Sequence, residues 1–266
     1  MNRRTILFLS FLLGVFFCVP TGASRAADFY GTAPTGLLEL ENKYPYFLFV
    51  PPDYTPEKGW PLVVLLGGTV DEPKEVMNQW ADWAKKNQVF LLVGTVYVRE
   101  NSLPQLVDDW YLRIKKEVSE RYHIASSQIL LVGIEAGAQY AAYLALEHPE
   151  EFSAAALFRR AWPGPLQRMM KTTANSKRQV PFYVAVDPGG EIFPAVEAKA
   201  SELEKKGYQI TFDSLKTGED FTAHRDRMIQ WFLQGTEARS LKVQQKSKRG
   251  MKGTLQEMKK NMFGTA

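Results

Sequence analysis

One cysteine and three histidines in 266 residues leave little material for several kinds of chemistry. A lone thiol cannot close a disulfide within the chain, which excludes a cross-linked scaffold. The histidines, His123, His148 and His224, stand far apart, and neither they nor the cysteine make a cluster with metal-ligand spacing. Internal repeats are missing too. Long apolar runs are equally scarce: the clearest, Ile6–Phe17, is too short to span a bilayer comfortably.

That run follows Arg3 and Arg4 and precedes Pro20, Gly22 and the small-x-small site Ser24-Arg25-Ala26. The pattern predicts a removable export signal over residues 1–26, with a retained anchor as the alternative. Cys18 lies inside it behind bulky Phe16 and Phe17, a poor setting for lipid modification. Removal leaves a chain without thiols, as expected of a periplasmic or secreted protein stabilised by its core. Charge is unevenly placed. The formal net charge is +4, but residues 236–266 hold eight basic and two acidic residues, and the body 27–235 holds 22 basic against 27 acidic. A weakly acidic domain over 27–235 is expected to carry a basic, disordered tail over 236–266. Such a tail suits a nonspecific anionic surface, and nucleic acid is not an expected partner of an exported chain.

Along the body, apolar runs alternate with amphipathic stretches. Strands are expected at Gly36–Asn42, Tyr46–Val50, Leu62–Leu66, Val89–Val93, Ser153–Phe158, Val180–Val186 and Tyr208–Leu215. Helices are expected from Pro73 to Lys86 and from Pro104 to Tyr122, the latter with Leu106, Trp110, Ile114 and Val118 inward and Lys115, Lys116 and Glu120 outward. Further helices are expected at Phe193–Lys206 and Thr222–Leu233, with Thr222 as N-cap. Arg159–Gln179, with Trp162-Pro163-Gly164-Pro165, reads as an insertion over the strand ends. This order is that of an α/β protein with a mostly parallel sheet flanked by helices on both faces.

The stretch Gln128–Tyr140 joins an apolar run, the pentad Gly133-Ile134-Glu135-Ala136-Gly137 and a small-residue helix running to Glu147, before His148-Pro149. It has the form of a nucleophile elbow, in which small residues let strand and helix backbones crowd while the central side chain is pushed outward. The centre is normally serine. Here it is Glu135, which has no hydroxyl proton to give a base and would form an anhydride with an acyl group.

From about Tyr46 to Leu233 the chain resembles the α/β-hydrolase superfamily. Within it, it is similar to secreted carboxylesterases of the polyhydroxybutyrate depolymerase, feruloyl esterase and esterase D type. The segments that carry the likeness are Phe49–Tyr54, Pro61–Gly68, the elbow, Tyr143–Phe152 and Ile192-Phe193-Pro194. The resemblance implies a Ser-His-Asp triad, and at each of its positions the chain departs: Glu135 replaces the serine, Gly190 the acid and Glu219 the histidine. Gly67-Gly68 stands where such esterases have His-Gly. Asp187 and Glu191 are nearby substitutes for the acid. His224, five residues past Glu219, is the one histidine in range as a base, although its position at the start of a helix reads as surface. His123 falls on the side away from the elbow, and His148 reads as a helix-end residue.

An oxyanion hole needs only backbone N–H groups, expected from Thr69, Val70 and Ala136, and the Glu135 carboxylate is its natural occupant. Three readings follow. The first, favoured, is an exported esterase-like protein that lacks the triad, needs no cofactor and binds a small-molecule or envelope ligand as a monomer or dimer. The second keeps an ester hydrolase, with Glu135 as nucleophile or with an unrecognised base, as aspartate serves at the elbow of related dehalogenases and epoxide hydrolases. The third gathers Glu135 and Glu219, with Asp187 or Glu191, about a hard cation. It is disfavoured, because the spacing matches no known site and no metal is expected.

Overall fold

The structure, a computed structural model, describes residues 34–40, 45–67, 72–94, 105–162, 178–220 and 222–238. The expected export signal over residues 1–26 with Cys18, the loop residues Gly68, Thr69 and Val70, most of the expected insertion Arg159–Gln179, and the expected tail from residue 239 lie outside them.

Eight strands make one sheet: β1 Gly36–Leu40, β2 Tyr46–Val50, β3 Trp60–Leu66, β4 Phe90–Gly94, β5 Ile124–Ile134, β6 Ala154–Phe158, β7 Phe182–Val186 and β8 Ile210–Ser214. Their spatial order is β1-β2-β4-β3-β5-β6-β7-β8. β1 and β2 run antiparallel to their neighbours, and all other pairs are parallel. Among the described residues, four helices lie between strands, α1 Pro73–Lys86, α2 Gln105–Arg121, α3 Ala136–Glu147 and α4 Phe193–Lys205, and α5 over 222–238 follows β8.

Strands β2, β4, β6 and β7 are buried at every residue, which explains their unbroken apolar runs. Alternate side chains feed two cores. Leu62, Val64 and Leu66 point into the core that packs Ile114 and Val118 of α2, Tyr140 of α3 and Val196 of α4. Val63 and Leu65 join Trp80 of α1 and Met228 of α5 on the other face. The helices therefore cover both faces, as expected.

Several local expectations need correction. β3 begins at Trp60, ahead of Pro61, because β5 bulges there: Trp60 pairs with Ile124 but Leu62 with Ile129, so the missing N–H of Pro61 faces no ladder position. Lys115 is not on an outward face of α2. It is 7% exposed, its ammonium bonds the Glu151 carboxylate, and it lies 5.7 Å from the Phe152 ring. Thr222 does not cap α5 with its side chain. Asp220 Oδ1 accepts the Thr222 N–H at 3.0 Å and its hydroxyl at 2.9 Å. α5 also runs past Leu233 to residue 238, and the buried Thr236 hydroxyl donates to the Leu233 carbonyl.

Candidate functional site

β5 ends at Ile134 and α3 begins at Ala136, so the strand-to-helix turn is made at Glu135 alone. Its backbone sits at φ 52° and ψ −117°, a region that side chains with a Cβ disfavour. The glycines on either side show why the turn can close. A Cβ on Gly133 would stand 2.4 Å from Ala138 Cα, and one on Gly137 would stand 2.2 Å from the Leu66 carbonyl oxygen. The Glu135 N–H donates to Phe158 O at 3.0 Å, tying the turn to the end of β6.

The Glu135 carboxylate meets Arg159, whose Nη1 is 3.4 Å from Oε1. Arg159 also has a positive φ, 63°, and its N–H donates to Ala185 O at the end of β7. Its Nη2 reaches the Glu219 carbonyl at 3.4 Å. Thus Glu135 faces a guanidinium on the neighbouring strand. Of the residues expected to form the oxyanion hole, Ala136 is buried at the start of α3, and Thr69 and Val70 lie outside the described residues.

The acid-loop residues separate clearly. Asp187 follows β7 directly, and its carboxylate is fully engaged: Oδ1 accepts the Gly189 N–H at 2.9 Å, and Oδ2 accepts the Thr217 N–H at 2.8 Å and hydroxyl at 2.7 Å. The Thr217 hydroxyl and N–H, with the Gly189 N–H, hold this carboxyl below its usual value. Gly190 closes the same turn by donating to Asp187 O, and Glu191 is exposed. In this fold the acid-loop to base-loop contact therefore falls on Asp187 and Thr217.

Glu219 turns away from the elbow. Its Oε2 accepts the Lys216 N–H at 3.0 Å, and Oε1 lies 3.6 Å from His224 Nε2. His224 is not a surface residue: it is 1% exposed, with Nδ1 2.7 Å from Asp213 Oδ2. Arg227 grips the same carboxylate through Nε at 3.0 Å and Nη2 at 3.1 Å, and the Tyr183 hydroxyl donates to it. Burial pushes the Asp213 carboxyl up, but hydrogen bonds from Arg227, Tyr183 and His224 outweigh it and hold the group low. Burial, with the adjacent Asp213, raises the Tyr183 phenol. His123 and His148 are structural. His123 Nδ1 is 2.7 Å from Pro56 O at the start of β5, and the His148 N–H ends α3 on Leu144 O.

Glu135, Arg159, Arg160, Asp187, Lys216 and Thr217 line a cleft of about 340 Å³ at the carboxyl ends of the parallel strands, where open α/β sheets hold their ligands. The Glu135 and Glu219 carboxylates face different partners. Among the described residues, no three His, Cys, Asp or Glu side chains gather as a metal site would require. The sequence pattern alone does not single out Arg159 or Asp213 as site residues. The signal for Arg159 was a charged residue ending the run Ala154–Phe158, and for Asp213 a lone carboxylate inside a strand.

No protein-family model matches the chain, and no curated protein matches it. Solved structures do. A thermostable esterase superposes with a TM-score of 0.52 and 20% identity over 68% of this chain, which spans about half (54%) of that protein. The fluorophosphonate-binding serine hydrolase FphF of Staphylococcus aureus, solved with substrate bound, gives 0.59 at 13% identity, covering 74% of this chain and 96% of its own. S-formylglutathione hydrolase FrmB of the same organism gives 0.56 at 12%, covering 75% and 97%. The sheet order, the strained elbow and these neighbours together give the chain the α/β-hydrolase fold.

Proposed function

We propose that this chain is an exported, non-catalytic member of the esterase-like α/β-hydrolase group that binds a small ligand in the cleft at the elbow. The observation that carries the reading is Glu135 itself. The residue held in the strained elbow conformation is a carboxylate, and its oxygen faces Arg159 at 3.4 Å where a serine would need an imidazole. The one histidine of the region, His224, is buried and does not line the cleft; its Nδ1 is on Asp213 and its Nε2 lies 3.6 Å from Glu219. Export rests on the amino-terminal pattern of residues 1–26, and the basic residues from 239 onward suit contact with an anionic surface such as lipid or cell-wall polymer.

The competing reading, ester hydrolysis with Glu135 as nucleophile, draws on the exposure of its side chain, 43%. It requires a base to hydrolyse the acyl or alkyl intermediate, and none of the three histidines serves. A thermal-shift screen separates the readings when run beside hydrolysis assays on short acyl and feruloyl esters. A stabilising ligand lost in Lys216→Gln, without turnover of any ester, supports binding. Turnover that disappears in Glu135→Gln refutes it.

A further inference from the structure

The elbow cleft carries a surplus of positive charge, with Arg159, Arg160 and Lys216 against Glu135 and Asp187. Its two carboxylates are not equivalent. Asp187 is used up by three hydrogen bonds from its own loop and from Thr217. Glu135 is engaged at one oxygen by one long hydrogen bond. Among the cations, the Lys216 ammonium forms no ion pair within 4.0 Å with a described residue, while its backbone N–H is fixed on Glu219.

A ligand here meets a carboxylate with one oxygen unengaged and an ammonium with no ion-pair partner among the described residues, within walls that leave a net positive charge. Resting on the reading of this cleft as a binding site, we propose that its ligand is a small carboxylate bearing a nearby hydroxyl or ammonium group. The ligand carboxylate would meet Lys216 and its donor would meet Glu135. A plain carboxylate would set its charge against Glu135 with no proton between them, and a plain amine would leave Lys216 unpaired inside the cleft. The volume, about 340 Å³, suits an acid of a few carbons. Glu135 and Arg159, both fixed at positive φ and tied to neighbouring strand ends, hold the charged floor in place before a ligand arrives.

Saturation-transfer NMR on the full chain with L-lactate, L-aspartate, acetate and methylamine tests this. Lactate and aspartate should bind at least tenfold more tightly than acetate, and methylamine should not bind. Lys216→Gln should weaken both acids at least tenfold. Glu135→Gly, which suits the backbone conformation, should keep acetate binding and abolish the preference for lactate. Melting curves establish that both variants are folded. Equal affinity for acetate and lactate, or undiminished binding in Lys216→Gln, overturns the assignment. If none of the four binds while a neutral ester stabilises the parent without turnover, this ligand class is wrong and the binding reading stands. Ester turnover that depends on Glu135 overturns both.

Discussion

Glu135 and Arg159 end adjacent parallel strands with carboxylate and guanidinium 3.4 Å apart, and both hold a positive φ. Each is also pinned through its backbone N–H to a carbonyl of the next strand, Glu135 to Phe158 and Arg159 to Ala185. The pair is half exposed, so its Coulombic attraction contributes only about 0–1 kcal/mol. The sheet, rather than the ion pair, maintains the strain.

Replacing Glu135 with glycine should therefore stabilise the protein. Relief of an unfavourable backbone conformation is worth about 1–3 kcal/mol, against about 0.5–1 kcal/mol of added chain entropy in the unfolded state. Chemical denaturation should show a higher midpoint for Glu135→Gly than for the parent. A lower midpoint would mean that the side chain contributes more than the backbone costs.

The glycines beside it should behave oppositely. Gly137→Val places atoms against the Leu66 carbonyl, where a Cβ alone would be 2.2 Å away, and Gly133→Val meets Ala138 at 2.4 Å. Each should lower stability by about 2 kcal/mol or more. A melting temperature equal to the parent's would remove the elbow argument.

How far these features could be read in the sequence depended on the distance between partners. The elbow was legible because strand, glycines and small-residue helix are contiguous, and the buried strands because parallel ladders covered on both faces need unbroken apolar runs. Local periodicity places Lys115 and His224 on outward faces, yet both are buried. Lys115 is buried because Glu151 waits 36 residues away. His224 is buried because Asp213 on β8, with Tyr183 and Arg227, completes a polar cluster. Burial of a single polar side chain is decided by partners that local periodicity does not contain. Pro61 misled for a similar reason, since the bulge that accommodates it belongs to β5.

The Asp213 cluster sets an expectation for acid stability. Its carboxyl is held below the ordinary value, so its contribution is present above about pH 4, the unfolded carboxylate value, and is lost as pH falls through the depressed folded value. Asp213→Asn should destabilise the protein by about 2–3 kcal/mol at neutral pH, because it removes the charge that pairs with Arg227 and replaces one of the two acceptor oxygens shared by Arg227, Tyr183 and His224 with an amide donor. Its stability should also fall less steeply than the parent's below pH 4. Parallel acid limbs in parent and variant would show that Asp213 is not a stabilising carboxylate.

Repair of a serine-hydrolase site should follow the observed loop contact. Glu135→Ser alone should give at most trace esterase activity, because no base takes the hydroxyl proton. The fold places Thr217, rather than Glu219, against the Asp187 carboxylate. Glu135→Ser with Thr217→His should therefore be labelled by a fluorophosphonate probe faster than Glu135→Ser with Glu219→His and Gly190→Asp, and the gain should be strongly non-additive. Faster labelling of the Glu219→His combination would move the base position back to residue 219.

The most direct test of a carboxylate elbow that binds without hydrolysing is steady-state turnover of short acyl esters by the purified parent, measured beside Glu135→Gln. The expected result is a parent rate equal to the buffer blank and unchanged in the variant; turnover above blank that vanishes in Glu135→Gln would contradict it.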